Sequence, residues 1–275
     1  RKGTTGLNQV LIDANTCADH TVFISKWLRN LFSSLGIGVS NASVIRNGAL
    51  TDIFNRQGYT KWKDPQKMKL VTHHWGGNWL KGFDIYKRLD KMLSEEKWKE
   101  QISFTYIGQL PDGFSFKNAK YREPLSGVDL ADELRRQHLY VTASRNEPAG
   151  MHHIEGALCG LPLLYIKSGA LPEYCDGFGL AFTPNNFEES LEEMLALYTH
   201  WTEKMPLYPY TAEKMCEEYY SLFQELLDNR EEIFLRRRPM FKPKLIQRIL
   251  YQISEIIVEI KRLFLQKIRR HLRGE

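Results

Sequence analysis

Residues 139–166 read LYVTASRNEPAGMHHIEGALCGLPLLYI. The apolar runs at 139–144 and 161–166 have the length of buried strands, and MHHIEGALCG at 151–160 is typical of a helix. A strand, a turn, a helix and a second strand form the unit from which parallel sheets are built. This stretch therefore predicts an α/β fold.

The same alternation continues on both sides of this unit. Helices are predicted at 26–36, 81–96 and 129–137, and further strands at VFIS (22–25), SVIRNG (43–48), KLVTHHW (69–75), ISFTYIG (102–108) and GLAFT (179–183). We expect a parallel sheet with helices on both faces, in which ligands bind beyond the carboxyl ends of the strands. The loops after residues 75, 108, 144 and 166 are then the candidate ligand loops, and the segment after 108 is predicted to be a polar loop.

Composition and charge narrow the class of protein. The chain has 275 residues, of which 43% are hydrophobic and 26% charged, as in a globular protein. Residues 236–275 hold 12 of the 38 Lys and Arg and three of the 33 acidic residues, so they carry +9 and residues 1–235 carry −4. An acidic body argues against nucleic acid as a partner.

Four scattered cysteines without a Cys-x-x-Cys pair favour a reducing, cytoplasmic compartment. No apolar run is long enough to span a bilayer, and no signal peptide opens the sequence. The chain does not begin with Met and starts abruptly, so we expect its natural N terminus to lie upstream.

Two carboxylates bracket the start of the predicted helix. Pro148 and Gly150 favour a turn into a helix whose first backbone N–H groups attract an anion. In a fully helical segment, Glu147 and Glu155 would lie about 12 Å apart, which suits a grip on both ends of an elongated ligand with an anionic middle. The alternative is a capping acid and a solvated helix residue, but the apolar and small residues around Glu155 weigh against it.

This stretch resembles the E-x7-E motif of retaining GT-B glycosyltransferases, especially those of glycosyltransferase family 4. Other segments resemble the family in the same order, over roughly residues 17–230. They are ADHTVFISKWLRNLF (18–32), the interdomain segment SVIRNGALTDIF (43–54), the lysine-glycine loop HHWGGNWLKGFD (73–84) and GLPLLYIKSGALPEYC (160–175). The resemblance implies a GT-B fold with a nearly complete donor-binding domain and a truncated N-terminal domain.

The resemblance also implies roles for individual residues. Glu147 would hold hydroxyls of the donor sugar, and Glu155 would hold the ribose. Lys81, next to Gly82, would neutralise the diphosphate, which would also meet the backbone at Gly150, Met151 and His152. Lys81 and Glu147 are the catalytic candidates.

Several positions depart from the family pattern or leave alternatives open. An arginine that many members carry before the lysine is absent, and His73, His74 or the backbone at Gly76 and Gly77 would replace it. Neighbouring strand residues point to opposite faces, so we expect at most one histidine to face the ligand and choose His74. Leu125 and Gly108 are predicted beside the nucleobase. Glu173 either supports the site or is an acid at the N terminus of its own helix.

No metal or cofactor is expected beyond the nucleotide-sugar donor. The sequence has no Asp-x-Asp triplet, and the His152–His153 pair lacks the spacing and the carboxylate partner of a zinc site. Structural or ligand-contact histidines are the expected interpretation.

The implied function is a retaining transfer of a hexosyl group from a UDP- or GDP-sugar to a glycan, lipid-linked or other hydroxyl acceptor. The alternatives are a nucleotide-sugar-binding module without turnover and a membrane-attached interaction protein.

The predicted organisation is an acceptor-side remnant with linker (1–55), the nucleotide-sugar-binding domain (56–204), a helical closing segment (205–235) and a basic amphipathic tail (236–275). The chain is thus expected to be a fragment.

The tail has apolar residues at helical spacing from Lys244 to Leu272, with basic residues concentrated toward its end. It is expected either to hold the enzyme on an anionic membrane surface through residues 240–275 or to pack on protein.

Overall fold

The computed structural model of the chain describes residues 5–37 and 41–237. The predicted tail therefore lies, except for Arg236 and Arg237, outside the described residues. The described residues up to Ser221 belong to one unit, and those from Leu222 to a second. No helix among the described residues has the length and apolar character needed to cross a membrane.

Within residues 5–37 and 41–237, eight strands form two separate parallel sheets. The smaller sheet pairs β1 (Thr21–Phe23) with β2 (Ala42–Val44). The larger sheet has the order β5-β4-β3-β6-β7-β8, and every pairing in it is parallel. Its strands are β3 (Met68–His74), β4 (Ile102–Gly108), β5 (Lys120–Arg122), β6 (Leu139–Thr142), β7 (Leu163–Ile166) and β8 (Gly179–Phe182).

Ten helices accompany these strands in the described part of the chain. They are α1 (Thr5–Asn15), α2 (Lys26–Ser34), α3 (Phe83–Met92), α4 (Gly127–Arg135), α5 (His152–Leu158), α6 (Leu171–Cys175), α7 (Phe187–Ala196), α8 (Tyr198–Lys204), α9 (Ala212–Asp228) and α10 (Arg230–Arg237). Short 3₁₀ turns occupy Trp79–Lys81 and Met205–Leu207.

Helices cover both faces of the larger sheet, as the sequence predicted. Tyr86 of α3 places its hydroxyl 3.3 Å from Thr72 on one face of β3. On the other face, α5 approaches β6 so closely that a Cβ built on Gly156 would lie 2.3 Å from the ring of Tyr140. The predicted strands at 22–25, 43–48, 69–75, 102–108, 139–144, 161–166 and 179–183 are all present within a few residues.

One strand was missed. The segment after 108 was predicted to be a polar loop, but Lys120–Arg122 within it pairs with β4 as the edge strand β5. A strand of three residues, two of them exposed, has neither the length nor the apolar pattern that marks a strand in a sequence.

Glu173 links the N-terminal segment to the larger sheet's layer of helices. Its two carboxylate oxygens accept hydrogen bonds from the backbone N–H groups of Lys26, at 2.9 Å, and Trp27, at 2.5 Å. Arg46 pairs with the same carboxylate at 3.4 Å. These N–H groups begin α2 and have no acceptor inside that helix. Glu173 therefore caps a helix that lies 147 residues away in the sequence.

The close approach of α5 to β6 yields a prediction about stability. Alanine normally stabilises a helix interior relative to glycine by about 1 kcal/mol. At Gly156 the added methyl group would meet the Tyr140 ring, so Gly156→Ala should destabilise the protein, by about 1–3 kcal/mol as for other overpacked cores. Urea denaturation measures the change.

The matched control is Gly6→Ala in α1, where an added Cβ meets nothing within 4 Å. That variant should be neutral or stabilising. A Gly156→Ala protein as stable as the wild type would contradict the close packing of α5 on β6.

Candidate active site

A cleft of about 490 Å³ opens where the larger sheet's strands reach their carboxyl ends. Of the ten predicted site residues, eight line it; Glu147 and Gly82 do not. The eight are His74, Lys81, Gly108, Leu125, Gly150, Met151, His152 and Glu155. The structure therefore brings most of the predicted residues into one cavity, from loops that are far apart in the sequence.

Lys81 is placed by the short turn that follows β3. Asn78 begins the turn, because its side chain accepts a hydrogen bond from the Leu80 N–H at 3.1 Å. Gly82 ends it in the left-handed region, at φ 94°, where a Cβ would lie 2.3 Å from that of Ala143. Gly82 thus has a packing role at this position, and it fixes the direction in which Lys81 enters the cleft.

Glu147 lies behind Lys81 rather than on the cleft wall. Glu147 is only 6% exposed. Its Oε2 accepts hydrogen bonds from Lys81 Nζ and Ser144 Oγ, each at 2.8 Å. A buried carboxylate needs such partners because burial removes its hydration. Glu147 therefore holds the Lys81 ammonium group in place.

Glu155 lines the cleft and is held by a histidine of β3. His73 Nε2 lies 2.7 Å from Glu155 Oε2, and the hydroxyl of Tyr140 lies 3.0 Å from His73 Nδ1. An ionised carboxylate can only accept, so Nε2 carries the proton of this hydrogen bond. Sequence reasoning considered His73 but preferred His74, because neighbouring strand residues were expected to point to opposite faces. The contact with Glu155 joins distant segments and leaves no spacing signal.

Both His73 and His74 line the cleft. Their side chains contact opposite sides of β3, as strand alternation requires: His73 meets Tyr140, and His74 meets Tyr86. The choice of His74 as the one that faces a ligand stays a prediction. His74 Nε2 lies 2.7 Å from the hydroxyl of Tyr86, and its ring centroid is 4.7 Å from that of His152.

Burial disfavours the charged form of two cleft histidines. The pKa values of His74 and His152 are lowered well below the usual range, first by burial and then by the neighbouring histidines and Lys81. Lys81 contributes to both shifts. Lys81 is the one lysine or arginine among the described residues that line the cleft. The positive charge available to a ligand is therefore concentrated at a single ammonium group.

The loop before α5 is tied to the N-terminal segment. Ser25 donates a hydrogen bond from its hydroxyl to the Pro148 carbonyl at 2.8 Å, and the Asn47 side chain donates to the Ala149 carbonyl at 3.0 Å. These contacts position Gly150 and Met151, after which the first helical bond joins Glu155 N to Met151 O at 3.0 Å. Neither Ser25 nor Asn47 was predicted as a site residue.

Among the described residues, no three His, Cys, Asp or Glu side chains are grouped so as to hold a metal ion. His153 next to the cleft is fully buried, and neither ring nitrogen has a hydrogen-bond partner. Its ring instead packs edge-on against His152 and Tyr174.

Comparison with known proteins shows which solved structures share this fold. No protein-family model matches the sequence, and no curated protein matches it. Solved structures do match. TarM is 16% identical, with 80% of this chain and 46% of that chain covered and a TM-score of 0.58. HepE from Anabaena, in complex with UDP and glucose, is 16% identical, with 80% and 67% covered and a TM-score of 0.64.

WaaG, a glycosyltransferase involved in lipopolysaccharide biosynthesis, is 16% identical, with 68% of this chain and 57% of that chain covered and a TM-score of 0.56. The likeness confirms the predicted fold class, a GT-B parallel sheet with helices on both faces. The matched region spans about half of TarM and two thirds of HepE. Assignment to family 4, the domain boundaries and the fragment status remain predictions.

The buried His153 yields a prediction about pH. Burial lowers the pKa of His153 to about 3, while in the unfolded chain it is about 6.5. Below pH 6.5 the unfolded chain binds a proton that the folded protein does not, so stability falls as the pH drops toward 3. From pH 7.5 to 5.5 this one group costs about 1 kcal/mol.

The measurement is urea denaturation of the wild type and His153→Phe at both pH values. The variant should lose about 1 kcal/mol less stability than the wild type on acidification. Equal losses in the two proteins would show that His153 titrates normally in the folded state.

Proposed function

We propose that this chain is the donor-binding part of a retaining glycosyltransferase, which moves a hexosyl group from a UDP- or GDP-sugar to a hydroxyl acceptor. The observation that carries the proposal is the convergence of Lys81, Glu155 and the loop Gly150–His152 in one cleft of a GT-B fold. HepE, which shares the fold, has been solved with UDP-glucose. Ligands of open parallel sheets bind at this edge.

The diphosphate is assigned to Lys81 and the loop at Gly150–His152. An ammonium group has three donors, and Lys81 uses one for Glu147, so two remain for phosphate oxygens. The ion pair with Glu147 also holds the Lys81 side chain in one orientation when the cleft is empty. We propose that this ammonium group and the loop's backbone N–H groups, rather than a metal ion, neutralise the diphosphate.

The ribose is assigned to Glu155. Its Oε2 accepts from His73, while no donor among the described residues lies within hydrogen-bond distance of Oε1. That oxygen is therefore available to the paired hydroxyls of a ribose. Leu125 lines the same cleft and would pack against the base. His73 and Tyr140 would act as positioning residues, because they hold the carboxylate that binds.

In the proposed reaction, the bond between the sugar's anomeric carbon and the diphosphate oxygen breaks. The acceptor oxygen attacks from the same face, and its proton passes to the departing diphosphate. The protein stabilises the charge that develops on the leaving group through Lys81. Neither carboxylate suits the acid–base roles of a glycosidase pair, since Glu147 is buried under Lys81 and Glu155 is bound to His73.

Glu147 is proposed to serve both the lysine and the sugar. Its Oε2 holds Lys81, and its Oε1 has no hydrogen-bond donor among the described residues. A bound hexose that reaches past Lys81 would place a hydroxyl on Oε1. The acceptor is proposed to be a glycan or lipid-linked hydroxyl, and residues 240–275 to hold the protein on an anionic membrane surface.

The proposed function yields a prediction about nucleotide binding. Lys81→Met and Glu155→Gln should each weaken binding of UDP or GDP, roughly tenfold to a hundredfold for the lysine, since hydrogen bonds to charged groups contribute about 1.5–3 kcal/mol. Calorimetric titration measures the dissociation constant. The matched control Lys87→Met removes an exposed lysine of α3 outside the cleft and should have no effect.

Removing Lys81 alone leaves Glu147 buried without its ion partner, which destabilises the fold. The double variant Lys81→Met/Glu147→Gln removes both charges and should remain folded by circular dichroism, while its binding of UDP or GDP should still be weakened. Unchanged affinity in both Lys81 variants and in Glu155→Gln would show that the nucleotide binds elsewhere.

The second prediction separates sugar from nucleotide. Glu147→Gln keeps the shape of the side chain but removes the carboxylate that would accept sugar hydroxyls. In the complete enzyme it should lower the rate of transfer more than it weakens binding of the free nucleoside diphosphate. The two losses are compared from steady-state kinetics and from titration with UDP or GDP. Equal losses in both would assign Glu147 to the nucleotide alone.

A further inference from the structure

A second cavity, of about 500 Å³, lies on the larger sheet away from the active-site cleft. Its floor is formed by one face of β3, β4 and β5 near their amino ends, and its wall by the last turn of α4 and the residues after it. The strand register places Lys69 beside Ser103 and Thr105 beside Lys120. We call this cavity the basic groove.

The chemistry of the groove floor is unusual for a parallel sheet. Strands of such sheets are normally covered on both faces and apolar throughout. Here strand alternation places five polar residues on one face of three adjacent strands at the groove: Lys69, Ser103, Thr105, Lys120 and Arg122. Three apolar residues also line the cavity: Leu93, Ile102 and Phe104. Lysines often protect an edge strand from pairing with another chain, but only β5 is an edge. Edge protection does not explain Lys69, two strands further in.

Positive charge dominates the groove. Six of its residues are basic and one is acidic: Lys67, Lys69, Lys99, Lys120, Arg122 and Arg136 against Glu133. Two carboxylates that do not line the groove form ion pairs with its lysines: Glu100 with Lys67 and Glu96 with Lys99. Both are strongly exposed, and such pairs are weak in water. Among the described residues, no carboxylate lies within ion-pair distance of Lys69 or Lys120.

A buried acid holds one arginine of this groove. Glu133 is 4% exposed, and its Oε2 lies 3.2 Å from Arg122 Nη2. The amide of Gln137 donates a hydrogen bond to its Oε1 at 3.1 Å. The Arg122 side chain, 38% exposed, is therefore held at the groove. Arg136 lies 3.7 Å from the same carboxylate and is 70% exposed, so this second pair is weak.

We propose that the basic groove is a second anion site, which binds a small phosphate ester or a short polyphosphate. Lys69 and Lys120 supply ammonium groups, and Arg122 supplies a planar fork that matches phosphate oxygens. The hydroxyls of Ser103 and Thr105, which make no hydrogen bond to protein among the described residues, supply two further donors. The cavity has the size of sites for small molecules rather than for polymers.

This site is independent of the nucleotide cleft. The cleft gathers residues such as Lys81 and Glu155, and none of its lining residues is shared with the groove. Helix α4 borders both cavities, with Leu130 at the cleft and Glu133 at the groove. An anion in the groove would therefore leave the nucleotide site open.

The test is calorimetric titration of the chain with inorganic tripolyphosphate at low ionic strength, in the presence of saturating UDP. We expect saturable binding of one tripolyphosphate per chain. The double variant Lys69→Gln/Lys120→Gln should weaken it about tenfold or more, since two of the charge-assisted contacts are lost. Both lysines are exposed, so the variant should keep the wild-type circular dichroism spectrum and melting temperature.

Two controls make the result specific. Lys61→Gln/Lys63→Gln removes two exposed lysines outside the groove and should leave the affinity unchanged. Lys81→Met/Glu147→Gln should also leave it unchanged if the anion does not occupy the nucleotide cleft. The proposal is overturned by an absence of saturable binding, by equal losses in both lysine pairs, or by loss in the cleft variant. Binding of long polyanions such as heparin, but not of tripolyphosphate, would replace the compact site with a polymer-docking surface.

Discussion

Parallel alignment of β3, β4 and β6 is the constraint on which the rest of the structure depends. Parallel strands end at a common edge, so the loops that follow them meet although they are distant in the sequence. At that edge Lys81, carried by the loop after β3, reaches Glu147, carried by the loop after β6, at 2.8 Å. The same alignment brings His73 to Glu155. The first pair joins the turn after β3, and the second the end of β3 itself, to the segment around α5.

The electrostatics of the cleft follow from this arrangement. The buried histidines beside Lys81 have lowered pKa values, and burial is the main cause for each. A second positive charge beside the lysine would raise the energy of the empty site, because like charges in a partly desolvated cavity repel strongly. A site with one held cation beside His74 and His152, whose charged forms are disfavoured, is suited to reversible binding of an anion. Glu147 provides the counter-charge while the cleft is empty.

The fold was largely predictable because its strands and helices carry strong local patterns. Runs such as ISFTYIG and LYVTAS are apolar, short and bounded by turns, and the structure has strands at both places. The edge strand Lys120–Arg122 escaped notice because its partner, not its own sequence, makes it a strand. A local pattern cannot reveal pairing with a distant segment.

The site was predictable in part. Motif resemblance selected six residues in these segments, and all but Glu147 line one cleft: Lys81, Glu147, Gly150, Met151, His152 and Glu155. Three features could not be predicted from the sequence, because they depend on contacts between distant segments. They are the burial of Glu147 beneath Lys81 and the support of Glu155 by His73. The third is the anchoring of the loop before α5 by Ser25 and Asn47. Glu173, for which site support and a place at the N terminus of its own helix were both considered, lies in the first turn of α6 and also caps α2.

The most direct test of the account is a crystal structure of the chain with a bound UDP- or GDP-sugar. The account predicts the diphosphate beside Lys81 and the backbone of Gly150–His152, with ribose hydroxyls on Glu155 and the sugar toward Glu147. A nucleotide bound outside this cleft, or a diphosphate that makes no contact with Lys81, would contradict it.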